Sequence, residues 1–149
     1  MMTKKSWVLV GVAALLGIAY LFGFTDLGRV REIQINVTSR PFAPGIAPGE
    51  ALPIIFGLDQ EWSLTRVRVA PISEITNSKP KWVWSLASEK GSAPSRGFAY
   101  GGEVEGLRRV GGSPASALMP GTRYRLEIEA PGARGSVDFT PQAAAGAAQ

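Results

Sequence analysis

Residues 6–24 (SWVLVGVAALLGIAYLFGF) are almost continuously apolar and carry no charge. A helix rising about 1.5 Å per residue makes this stretch roughly 28 Å long, the hydrocarbon thickness of a bilayer. Trp7 at one end and Tyr20, Phe22 and Phe24 at the other stand where aromatic rings settle at membrane interfaces. The pattern predicts one transmembrane helix over residues 6–24. After residue 29 the periodicity changes to two, the signature of half-buried strands. Ile33, Ile35 and Val37 alternate with polar neighbours and predict a first strand over residues 30–38. Further strands are predicted at 52–58, with Pro53 marking a strand start or an edge, at 64–70, at 81–86 and at 97–100. The clearest is 122–130, where Tyr124, Leu126 and Ile128 face in and Arg123, Arg125, Glu127 and Glu129 face out, followed by 136–140 after a 131–135 connection. These make about seven strands, and glycine-rich residues 101–116 read as loop around one further short strand.

Residues 39–49 hold three prolines and two glycines, which excludes a helix and suits a stiff connection. The chain therefore divides into a short N-terminus (1–5), the span (6–24), a tether (25–29), an all-β domain (30–141) and an Ala-rich tail (142–149) that lacks bulky apolar residues and is expected to be disordered. A cleaved signal peptide is the rival reading of the N-terminus. Cleavage needs small residues at the exit, and this span ends instead in aromatic residues. Lys4 and Lys5 precede the span while Arg29, Arg31 and Arg40 follow it, so the positive-inside count is nearly balanced. A basic start before an apolar run favours an N-terminus in the cytoplasm of a bacterium, with the domain exported to the periplasm.

Composition narrows the chemistry. The chain has neither His nor Cys, which removes the residues that most often serve as general base, thiolate nucleophile or ligand to zinc, haem and iron–sulfur clusters. Glu103 and Glu105, flanking Val104, would share a strand face but have no third ligand or proton carrier beside them. No phosphate-cradling glycine motif follows a strand and opens a helix. Asn36-Val37-Thr38 fits a glycosylation acceptor only on a eukaryotic secretory route. Beyond the span there are 14 basic and 12 acidic side chains, too even a balance for nucleic-acid binding. These observations predict no enzyme, no cofactor, no metal and no small-molecule substrate.

Contact residues are the remaining candidates. Ala13 with Gly17, and Ala19 with Gly23, form small-xxx-small pairs that admit a neighbouring helix, although such residues are common in any membrane helix. In the domain, Pro41 and Phe42 of the proline-rich loop, Trp62 after a predicted turn, and Arg66 and Arg68 are candidate partner contacts. If the strands carrying Arg66 and Arg68 and carrying Arg123 and Arg125 are neighbours, they form a basic stripe; interleaved Glu127 and Glu129 would make it an ordinary solvated face. Trp82, Trp84 and Tyr124 are assigned to the core.

The run Leu118-x-Pro120-Gly121-Thr122-x-Tyr124-x-Leu126-x-Ile128-x-Ala130 resembles the end of a fibronectin type III or related immunoglobulin-like domain. That resemblance covers 13 of 149 residues and implies an immunoglobulin-like β-sandwich with a tyrosine corner, in which the phenol bonds back to upstream backbone. The sequence departs from that family in having no Trp at 52–58. One span plus one exported sandwich is also similar in layout to single-span accessory subunits of bacterial photosynthetic reaction-centre and light-harvesting complexes. The expectation is a non-enzymatic stabilising subunit whose partners are other membrane subunits and lipid. The alternative is a stand-alone binding or adhesion module for a peptide, glycan or envelope protein.

Overall fold

The computed structural model describes residues 3–24, 29–41 and 45–145 and separates into two units, Met1–Val30 and Arg31–Gln149. In the first, helix α1 (Lys4–Phe24) begins two residues before the predicted span, so Lys4 and Lys5 form its first turn. It is long and apolar enough to cross a membrane, and none of its apolar window is buried. Large side chains such as Trp7, Leu9, Leu15 and Leu16 are all exposed. A helix apolar on every side needs hydrocarbon or other helices around it.

The second unit is made of strands in two sheets. Among the described residues they are β1 (Arg31–Glu32), β2 (Ile35–Ser39), β3 (Ile54–Trp62), β4 (Arg66–Pro71), β5 (Trp84–Ala87), β6 (Ser95–Ala99), β7 (Arg108–Arg109), β8 (Tyr124–Ala130) and β9 (Ala133–Phe139), with a helical turn, α2 (Ile72–Ile75), after β4 and a 3-10 turn (Val110–Gly112) after β7. One sheet has the order β1-β9-β8-β4-β5-β7 and the other β2-β3-β6. Their inward residues share one core: Ile54, Phe56 and Phe98 from the smaller sheet meet Val67, Val69, Trp84, Leu86, Leu126, Ile128 and Phe139 from the larger. Phe56 packs edge-on to Phe139 at 5.2 Å and Trp84 lies 6.0 Å from Phe98, so aromatic contacts join the two sheets.

Several boundaries move. The predicted strand at 30–38 is two strands, because the chain changes sheets at Ile33: β1 runs parallel to β9, and β2 pairs antiparallel with β3. Ile33, 2% exposed, is the apolar pin at the crossing. The period-two pattern survives this switch, since side-chain alternation is blind to which neighbour accepts the hydrogen bonds. Pro53 precedes a central strand rather than sitting on an edge, and β3 runs on to Trp62, so no turn separates 52–58 from that residue. The connection at 131–135 shrinks to two residues, with Ala130 opposite Ala133; Gly132 takes φ +70°, which a Pro-Gly turn requires. The tail is not wholly loose. The Leu52 N–H donates to the Gln142 carbonyl, and Ala144 exchanges backbone bonds with Glu50 and Gly49, while residues 146–149 of the predicted tail lie outside the described residues.

Candidate functional site

The outward face of β4, β8 and β9 concentrates the charged side chains, and register explains why. Arg66 stands opposite Glu129 and Arg68 opposite Glu127 across the β4–β8 pair, while Arg125 stands opposite Asp138 across β8–β9. The strands carrying the four arginines are therefore neighbours, as a basic stripe needs, but acids occupy the cross-strand positions. Arg68 donates from Nε to Glu127 Oε2 at 2.9 Å and its Nη2 lies 2.8 Å from the same oxygen. Arg66 lies 3.6 Å from Glu129. Arg125 grips Asp138 with two bonds, Nε to Oδ1 at 2.6 Å and Nη2 to Oδ2 at 3.1 Å, and Arg123 approaches Oδ2 at 3.5 Å. Four guanidiniums thus face three carboxylates. The hydrogen bonds from Arg125, aided by its charge and that of Arg123, hold the Asp138 carboxyl below the usual carboxylate range, and the same bond raises Arg125. The face is a ladder of ion pairs in which every carboxylate is engaged and arginine stays in excess, with Arg134 opposite Glu129 on the β9 side.

Trp82 belongs to this outer face and not to the core. It lies ahead of β5 beyond a bend at residue 83, is half-buried, and carries the Arg68 guanidinium 4.4 Å above its ring. The bend breaks the alternation that would have put it beside Trp84. Trp84 is in the core, 3% exposed and 5.1 Å from the Tyr100 ring; its buried Nε1 has no hydrogen-bond partner, so its role is volume. Trp62 is half-buried against the core, and its Nε1 donates to Asp59 Oδ1 at 2.9 Å.

Tyr124 does what the sequence motif predicts of it. Its Oη accepts a hydrogen bond from the Met119 N–H at 2.9 Å, five residues upstream, while Gly121 at φ +81° turns the chain between them. The buried ring stacks on Phe139 at 5.9 Å. Ser92, which no sequence pattern singled out, is the buried polar residue that stitches loops together: its Oγ accepts from the Leu64 N–H and donates to the Ala93 carbonyl, both at 2.8 Å.

Glu103 and Glu105 lie in loop rather than strand; both are exposed on either side of buried Val104. Among the described residues no three His, Cys, Asp or Glu side chains are placed to hold a metal. Pro41 is exposed, and Phe42 lies outside the described residues. On α1, Ala13, Gly17, Ala19 and Gly23 are all exposed, and a Cβ at Gly17 or Gly23 would meet nothing. At about 100° per residue, the Ala13–Gly17 and Ala19–Gly23 pairs sit on faces roughly 120° apart, so no single neighbouring helix contacts both. Comparison with family models, curated proteins and solved structures finds no match for this chain.

Proposed function

We propose that the chain is a non-enzymatic, single-span accessory subunit of a bacterial membrane complex, with its N-terminus in the cytoplasm and its β domain in the periplasm. The observation that carries this reading is α1: about six turns of helix with apolar side chains on every side and small residues on two faces, suited to a slot among other spans. The domain's character supports it too. The carboxylates of its charged face are all engaged by arginine, and its core aromatic residues are engaged in packing. We read the two sheets as an immunoglobulin-like sandwich, on the strength of the shared core, the sheet switch at Ile33 and the tyrosine corner at Tyr124. In this reading the work is positional: the helix fills a gap between spans and the sandwich braces periplasmic parts of the machine. Photosynthetic reaction-centre and light-harvesting assemblies are one such host by similarity of layout.

The test is solubilisation of native membranes in mild detergent with a C-terminal affinity tag, followed by mass spectrometry of stoichiometric partners. Co-purification with other membrane subunits is expected and names the machine. Recovery of this chain alone overturns the proposal in favour of a stand-alone binding module.

A further inference from the structure

The smaller sheet has two edges, and they are treated differently. In β6 the Tyr100 N–H donates to the Ile54 carbonyl, so by antiparallel parity the N–H and C=O of Gly97 point away from β3. Both are already occupied: Ser95 Oγ donates to the Gly97 carbonyl at 2.8 Å and accepts from the Gly97 N–H at 3.3 Å. A side chain of the strand itself blocks that edge. β2 has no such device. The Asp59 N–H donates to Gln34 and the Arg40 N–H to Pro53, so Gln34, Asn36, Thr38 and Arg40 bond to β3 while Ile35, Val37 and Ser39 direct their backbone groups outward. Among the described residues no strand pairs with them. Residues 33–39 contain no charge, proline or bulge, the usual protections of an edge.

We infer that β2 is the docking edge for β2 of a second copy of this chain, forming a two-fold antiparallel pair centred on Val37. The three outward residues are symmetric about that point. With Val37 opposite its counterpart, Ile35 faces Ser39 of the other copy at both ends, and every outward N–H and C=O of both strands gains a partner. Asn36 stands opposite Thr38, polar against polar on the exposed side, and no like charges meet between residues 34 and 40. The two small sheets become one continuous sheet. An unrelated strand could use the same edge, but this register satisfies both partners with one sequence. The inference rests on edge geometry and is independent of the accessory-subunit reading.

The absence of cysteine makes the full chain its own background for cross-linking. Asn36→Cys and Thr38→Cys chains, purified in detergent, are mixed and oxidised. The register places residue 36 directly opposite 38, at about 4.5 Å between Cα atoms in a non-hydrogen-bonded pair, and residues 36 and 36 diagonally at about 7 Å, beyond disulfide reach. The mixed 36–38 disulfide is therefore expected to dominate over either homodisulfide. A second measurement uses Asn36→Lys/Thr38→Lys, which opposes lysines across the pair at exposed positions. Sedimentation should shift from a two-chain to a one-chain mass with an unchanged melting curve. Equal yields of all three disulfides, no cross-link, a monomeric wild type, or a dimer indifferent to the lysines would each overturn the inference. Co-purification with other subunits bears only on the function proposal.

Discussion

Gly135 is where the sheet switch is most exposed to perturbation. A Cβ at this position would lie 2.5 Å from the Ile33 carbonyl oxygen and 3.0 Å from Ile33 Cβ, the first of these being backbone that cannot rotate aside. Gly135→Ala must therefore push the crossing segment outward by about 1 Å to restore ordinary contact. Among the bonds that hold that segment are Arg31 N–H to the Gly132 carbonyl at 3.0 Å and Ile33 N–H to the Arg134 carbonyl at 2.9 Å. Losing both costs about 2 kcal/mol, and partial exposure of Ile33 adds about 1–2 kcal/mol. The expected loss is about 2–4 kcal/mol, on the order of 10 °C in Tm for a domain of this size. The control is Gly57→Ala, whose Cβ would meet nothing nearer than 3.9 Å; lower chain entropy in the unfolded state leaves it neutral or stabilising by about 0.5 kcal/mol. Denaturant melts of both variants, with amide exchange at Ile33, read the difference. If Gly135→Ala costs no more than Gly57→Ala, the close approach at the crossing is not what holds β1 in place.

Tyr124→Phe keeps the buried ring but orphans the Met119 N–H, so a loss of about 1–2 kcal/mol should appear in chemical denaturation. Asp138 has a folded pKa below its unfolded value, so its contribution is present above the unfolded carboxylate pKa of about 3.9 and disappears as pH falls through the folded value. Asp138→Asn should therefore lower Tm at pH 6–7 and converge with wild type as the acid limb is descended; equal Tm differences at all pH values would remove the Arg125 pair as the cause. Trp82→Ala should cost about 1 kcal/mol or less, since Arg68 keeps its Glu127 partner, whereas Trp84→Ala should cost about 3–5 kcal/mol by emptying the core, both read from melts. Leu15→Arg/Leu16→Arg, at about 3 kcal/mol of insertion cost per residue, should move the chain from carbonate-resistant membranes to the soluble fraction.

Local patterns read correctly from sequence were those in which a side chain's neighbours along the chain decide its fate. The apolar run of α1, the in-out alternation of β8 and the Pro-Gly-x-x-Tyr turn at Tyr124 each follow from backbone period or turn chemistry within a dozen residues. What needed the tertiary structure was partnership. Ile33, Ile35 and Val37 look like one strand because alternation carries no information about which sheet receives the bonds; the change of partner at Ile33, from β9 to β3, separates β1 from β2. Trp82 and Trp84 share a sequence parity, yet a bend sends one to an arginine on the surface and the other to the core. Whether Arg66, Arg68, Arg123 and Arg125 form a basic stripe or a solvated face with interleaved acids depends on cross-strand register, which sets Glu127, Glu129 and Asp138 beside them as a ladder of ion pairs. Charge along a chain is local, but the field a partner meets is a sum over neighbours that folding brings together.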